Sequence, residues 1–149
     1  MKQNLTERTN KQTLLPIFFG LTACSFVPHW ACHYYRLETE SSFIFGQCSF
    51  TVLESLLSMT LYTIIIGLNL FSIVFGQTRI VATLFAGILH LTLGVIHIVR
   101  LIHPFKFEIF NLDWPLNSSL REILIVVPFG IICIVIGLTL LRKKLYDIR

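Results

Sequence analysis

Long apolar runs alternate along the chain with short polar interruptions, and each run has the length of a bilayer-crossing helix. Four such runs lie at about residues 14–34, 53–75, 80–102 and 123–141. The third is the most informative: from Ile80 to Ile102 it carries a single strong charge, Arg100. Within it Gly87, His90, Gly94, His97 and Leu101 recur at steps of three and four, so they share one helical stripe. Small residues let a second helix approach closely and imidazoles are costly in lipid, so this stripe is predicted to face other helices. Gly130, Cys133 and Gly137 draw a matching stripe on the fourth run. Ser58, Tyr62, Asn69 and Ser72 draw a polar one on the second, with Tyr62 and Asn69 as its intramembrane polar groups. Gly76 to Arg79 is too short a link for anything but antiparallel neighbours. The pattern predicts an all-α membrane protein, a single four-helix antiparallel bundle.

The connecting segments add detail. Phe43-Ile44-Phe45-Gly46-Gln47-Cys48 reads as a short strand. Phe105, Phe107 and Ile109 alternate with Lys106 and Glu108, the period of extended chain. The two longer loops, 36–52 and 103–121, therefore hold the material for a small β-sheet. Residues 1–13 read as a disordered polar tail and 142–149 as a second tail. Pro16 is expected in the first turn of the first helix, and Pro28 is expected to kink that helix or end it early. Pro128 is expected to bend the second turn of the last. The segment from Pro28 to Arg36 reads as an aromatic belt suited to headgroup depth. Glu54 reads as a boundary charge, with Arg100 or Arg121 as its candidate partner.

Composition supports lipid as the surrounding solvent. Of 149 residues, 54% are hydrophobic and 13% charged, against about 25% charged in soluble domains. The net charge of +4 does not point to nucleic acid, because Lys and Arg sit at run ends and in the tails. Lys2, Arg8, Lys11, Arg79, Arg142, Lys143, Lys144 and Arg149 lie on the side of the tails and the short link; Arg36, Arg100, Lys106 and Arg121 lie on the other. The richer side is predicted to be cytosolic, which places both termini in the cytosol and the longer loops outside or in a lumen. Asn117 then heads an external glycosylation acceptor, Asn117-Ser118-Ser119.

Candidate chemistry is sparse. Cys24 and Cys133 fall inside apolar runs and read as inert packing residues. Cys32 and Cys48 flank the first loop on the oxidising side. A disulfide there would close fifteen intervening residues, an entropic gain of about 3 kcal/mol; the alternative is two free thiols at different depths. His29, His33, His97 and His103 lie toward the external leaflet and are the candidates for a metal or haem. His90 is expected to bond a backbone carbonyl, or Asn69 or Tyr62 across a helix seam. No CxxC, HExxH, GxSxG, phosphate-binding glycine loop or intramembrane acid pair occurs. The balance of these signals is a structural role for the histidines and no cofactor.

The layout is similar to the claudin and peripheral myelin protein superfamily. Pro28-His29-Trp30 resembles the Pro-x-Trp at the end of that family's first span, and Phe45-Gly46-Gln47-Cys48 stands where the family carries Gly-Leu-Trp-x-x-Cys. The Leu-Trp pair and a second loop cysteine are absent, so Cys32 would have to replace the latter in the family disulfide. The resemblance implies a non-enzymatic protein acting through lateral or cell-to-cell contacts, by self-association or as an accessory subunit of other membrane proteins. The last residue, Arg149, departs from the hydrophobic end that a scaffold ligand needs. Two rival expectations remain: a membrane haem, metal or quinone redox protein using His29, His33 and His97, and a small oligomeric channel or transporter with Tyr62 and Asn69 along a polar path.

Overall fold

A computed structural model describes residues 3–147, with side chains from residue 14 onward. The element order is α1 (Gln3–Thr39), β1 (Phe43–Phe45), β2 (Cys48–Ser49), α2 (Val52–Val74), α3 (Arg79–Ile102), β3 (Phe107–Ile109), β4 (Leu112–Asp113) and α4 (Leu116–Tyr146). Among the described residues, four helices are long and apolar enough to cross a membrane. The protein is a multi-pass helical bundle capped at one end by a four-stranded antiparallel sheet of order β2-β1-β3-β4.

Its burial is inside-out. Leucines, isoleucines and valines face outward along every span, while Thr22, Ser55, Asn69, Ser72, Thr83, His90 and Ser119 are buried. Lipid exerts no hydrophobic drive between helices, so packing depends on close approach and internal hydrogen bonds. The tightest approach is between α3 and α4. A Cβ on Gly94 would sit 2.4 Å from Val127 Cγ2, and one on Gly87 2.8 Å from Ile134 and 3.0 Å from the Gly130 carbonyl. One on Gly130 would meet Leu91 and His90 at 3.0–3.1 Å, and one on Gly137 would meet Leu84 and Thr83 at 2.7 Å. The four glycines thus form one seam. Phe26, Tyr62, Ile65, Ala86 and Cys133, drawn from all four helices, make the apolar centre.

Several local expectations are corrected. The first helix begins at Gln3, so the polar segment is helical rather than a disordered tail; no Gly or Pro precedes Pro16 to break it. Pro16 is therefore an interior residue. Pro28 does not end the helix, which continues to Thr39, because freed backbone groups inside a bundle find other partners. α4 starts at Leu116, seven residues before the apolar run, which puts Asn117 in its first turn and Pro128 well beyond the second. Residues 1–2 and 148–149, at the tail ends, lie outside the described residues. The first loop holds a hairpin, turning at Gly46 with φ 65°, rather than one strand. Glu54 pairs with neither arginine. It closes a capping box at the start of α2, accepting from the Thr51 amide at 2.6 Å while its own amide donates to Thr51 Oγ1. Cys24 is exposed on the lipid-facing surface, whereas Cys133 is buried.

A repeat of 64 residues organises the whole fold. Adding 64 to the bounds of β1 and β2 gives those of β3 and β4, and adding it to Val52 gives Leu116, where α4 begins. Gly46 maps onto Phe110, which also has a positive φ, 58°. Phe50 N donates to Phe43 O at 2.8 Å; the equivalent Trp114 N donates to Phe107 O at 2.8 Å. β1 and β3 pair about Ile44 and Glu108, themselves equivalent residues, so the halves are related by a twofold axis through the middle of the sheet. Each half is a helix, a β-hairpin and a helix. With two spans per half the repeats run parallel, and the axis stands along the membrane normal.

Candidate functional site

The sheet end of each half is held by the same three side chains. In the first, Arg36 is buried and donates from Nη1 to Ser55 Oγ at 2.5 Å and to Thr51 O at 3.2 Å, and from Nη2 to Phe50 O. His33 Nδ1 lies 3.4 Å from the same Ser55 hydroxyl. In the second, Arg100 donates from Nη1 to Ser119 Oγ at 2.9 Å, from Nη2 to Trp114 O at 2.5 Å and from Nε to Phe105 O at 3.3 Å. His97 Nδ1 lies 3.2 Å from Ser119 Oγ. The two clamps are His33/Arg36/Ser55 and His97/Arg100/Ser119, related by 64 at every position. Each arginine ties the last turn of one helix to the end of the hairpin and the first turn of the next. A guanidinium suits this task, because its planar fork satisfies several carbonyl and hydroxyl acceptors from one point.

Between the clamps and beneath the sheet lies a chamber of about 310 Å³. Seven equivalent pairs line it: His29 with Leu93, Cys32 with Ile96, His33 with His97, Phe43 with Phe107, Phe45 with Ile109, Phe50 with Trp114 and Ser58 with Glu122. Only Pro28 and Tyr62 complete the lining. The chamber therefore sits on the twofold axis. Phe43 and Phe107 meet above it at 5.9 Å between ring centroids, and Phe26 and His90, again equivalents, meet below it at 4.3 Å. Aromatic rings from β1, β3 and the hairpin ends form its roof, and α1 to α4 its walls. The sheet bears a polar latch on its outer side. Lys106 Nζ bonds Glu108 Oε2 at 2.6 Å, and the Ser42 hydroxyl donates to Glu108 Oε1, which joins β3 to the start of β1. These two donors, Lys106 first, hold the Glu108 carboxyl below the usual carboxylate range, and Glu108 in turn holds the Lys106 ammonium above its ordinary value.

The residues singled out from sequence distribute as follows. His29, His33 and His97 line the chamber, while His103 is exposed beyond the end of α3. Among the described residues, no three His, Cys, Asp or Glu side chains converge tightly enough to hold a metal ion. Cys32 and Cys48 are free thiols; Cys32 faces the chamber from within α1 and Cys48 is exposed on β2. His90 donates from Nδ1 to Ala86 O at 2.8 Å. Its Nε2 meets Ser25 Oγ of α1 at 3.2 Å, rather than Asn69 or Tyr62. Asn69 donates to Ile65 O within its own helix at 2.8 Å, and its buried Oδ1 has no partner among the described residues. Gly87, Gly94, Gly130 and Gly137 form the α3–α4 seam described above; none of them lines the chamber, although Gly94 follows the lining residue Leu93.

Arg36, Arg100, Ser55, Ser119 and Glu122 are functional candidates that hydropathy reasoning passed over. The available signal was His-x-x-Arg followed nineteen residues later by Ser, present at 33–36–55 and again at 97–100–119. Comparison of the chain with family models, with curated proteins and with solved structures finds no match.

Proposed function

We propose that this multi-pass membrane protein binds a small, largely apolar molecule in the chamber on its twofold axis, with the sheet as a roof on the outer or lumenal side and both termini cytosolic. The observation that carries the reading is the coincidence of cavity and symmetry. Membrane proteins built from internal repeats place ligand sites at the repeat interface, and this cavity has the size, aromatic lining and sparse polar groups of a small-molecule site. Among the described residues no hydrogen bond joins Cys32 to a histidine or to Glu122 in this lining, and the reading is of a receptor, carrier or accessory protein.

The test is solvent extraction of the purified protein followed by mass spectrometry, on wild type and on Leu93→Trp and Ile96→Trp, which fill the cavity. A small molecule recovered from wild type and lost from both variants supports the proposal. Equal recovery from all three, with equal thermal stabilisation by added extract, refutes it.

A second reading, lateral contact with another membrane protein, draws support from the sheet edges. β2 and β4 are exposed and open to pairing, yet each is two residues long, a poor template for strand addition.

A further inference from the structure

The chamber reading leaves the ligand's chemistry open, and the clamps narrow it. Ser55 Oγ has two neighbours in hydrogen-bonding range, Arg36 and His33. A guanidinium only donates. No carbonyl accepts from this hydroxyl among the described residues, so its proton is assigned to His33 Nδ1. The same assignment holds for Ser119 between Arg100 and His97. Each imidazole accepts at Nδ1 and therefore carries its own proton on Nε2. Neither Nε2 has a hydrogen-bond partner among the described residues, and both rings line the chamber. The arginines fix the tautomers from behind, and the twofold axis sets the two N–H donors on opposite sides of one aromatic-roofed space.

Resting on the chamber reading, we infer that the ligand is a flat ring bearing two hydrogen-bond acceptors on opposite edges, a quinone or similar cyclic dicarbonyl, with a hydrocarbon tail. An aliphatic occupant would strip water from both donors and leave them unpaired, and a ligand with one acceptor would satisfy only one. A planar ring suits a roof built from Phe43, Phe45 and Phe107. The rival chemistry is an amine seated on Glu122, the carboxyl one turn beyond Ser119, which also lines the chamber.

Binding of three probes that share a decyl tail distinguishes these cases: a decyl-substituted 1,4-benzoquinone, decylbenzene and decyltrimethylammonium, each read by native mass spectrometry of the full chain. The quinone is expected to bind at least about tenfold more tightly than decylbenzene. His33→Phe and His97→Phe should each lose about tenfold of that preference, the size of one hydrogen bond. His33→Gln and His97→Gln keep an N–H donor and should retain it, which separates a lost donor from a misfolded chain. Equal affinity for quinone and decylbenzene overturns the inference while leaving the chamber standing. Preference for the ammonium, abolished by Glu122→Gln, overturns it in favour of an amine. Failure of all three to bind, with Leu93→Trp without effect, removes the chamber reading beneath it.

Discussion

If the twofold repeat is the principle of the fold, the two arginine clamps contribute similarly: the bonds to Phe50 O or Trp114 O and to Ser55 or Ser119 Oγ recur, while the third differs and Arg36 Nε is buried without a partner among the described residues. Arg36→Gln and Arg100→Gln test this directly. Arg36 donates to Phe50 O, Thr51 O and Ser55 Oγ, and Arg100 to Phe105 O, Trp114 O and Ser119 Oγ. Both guanidinium-bearing residues are at least nine-tenths buried. A charge-assisted bond contributes about 1.5–3 kcal/mol, but three do not sum, because water at the sheet end re-solvates part of what is exposed and the desolvation cost of the cation disappears. The expected loss is about 3–5 kcal/mol for each variant, typical of removing one member of a buried charged network. Thermal unfolding in a fixed detergent measures the total, and amide exchange locates it. Arg36→Gln should release the Phe50 amide of the first hairpin before the Trp114 amide, and Arg100→Gln should reverse that order. One variant costing under about 1 kcal/mol while the other unfolds the protein would refute the equivalence, as would identical exchange patterns in both.

Three further outcomes follow from the packing and the latch. Gly94→Ala and Gly137→Ala force a Cβ within 2.4–2.7 Å of α4 or α3 atoms and should each cost about 1–3 kcal/mol, whereas Gly20→Ala and Gly67→Ala, with nothing within 4 Å, should be neutral or stabilising by thermal shift. Thr51→Ala opens the capping box of α2 and should cost about 1 kcal/mol in the same assay. The sheet latch should respond to pH at both ends. The lowered Glu108 carboxyl contributes above its unfolded pKa and is lost as pH falls through the folded value, while the raised Lys106 contributes below its unfolded pKa and is lost as pH rises through the folded one. The latch is thus complete from about pH 5 to about pH 10. Trp114 fluorescence should show an acid transition in wild type that Glu108→Gln abolishes.

The spans were legible because lipid imposes the pattern directly: outward positions are mostly apolar, with threonines such as Thr60 and Thr92 bonding back to their own helix, and small or polar residues are concentrated in the interior. That is why the Gly87/His90/Gly94/His97 stripe could be drawn from spacing alone. The ends of the helices were not legible, since they lie beyond the apolar core. Leu116 to Glu122 joins α4 despite its polarity, and α1 extends back through a segment with a single apolar residue, Leu5, to mark it. The hairpins escaped for a different reason. Gly46 announces a turn, but its equivalent is Phe110, a bulky residue at φ 58°, followed by Asn111 at φ 60°. A turn at Phe-Asn carries no ordinary signal, so only the extended halves were read. The site was hidden most thoroughly. Its groups come from four helices and two hairpins, and hydropathy reports where a residue lies relative to lipid, not which distant residue stands across an axis.

The departures from symmetry carry as much information as the symmetry. Where the two halves need the same thing, they keep it: His, Arg and Ser recur because each hairpin must be tied to its helices in the same way, and a Phe recurs at 43 and 107 because both roof the axis. Elsewhere they diverge. Helix contact differs, with four glycines closing the α3–α4 pair and none of equivalent effect between α1 and α2, where Gly20 and Gly67 meet nothing within 4 Å. The lining diverges too, in a consistent direction. His29, Cys32 and Tyr62 stand in the first half against Leu93, Ile96 and Val126 in the second, while the second half alone offers the carboxyl of Glu122 against Ser58. Clamps that hold the frame are thus duplicated, and groups one turn below them are not. An occupant whose ring is gripped by the two equivalent imidazoles therefore meets unlike surfaces on its two flanks, so it can bind in one of its two orientations in preference to the other. Exchanging Ser58 and Glu122 as a pair, Ser58→Glu with Glu122→Ser, should leave affinity for a symmetric ring nearly unchanged and alter affinity for an asymmetric one, as read by the same mass-spectrometric titration. If both rings respond alike, the frame and its lining are not separable in the way the repeat implies.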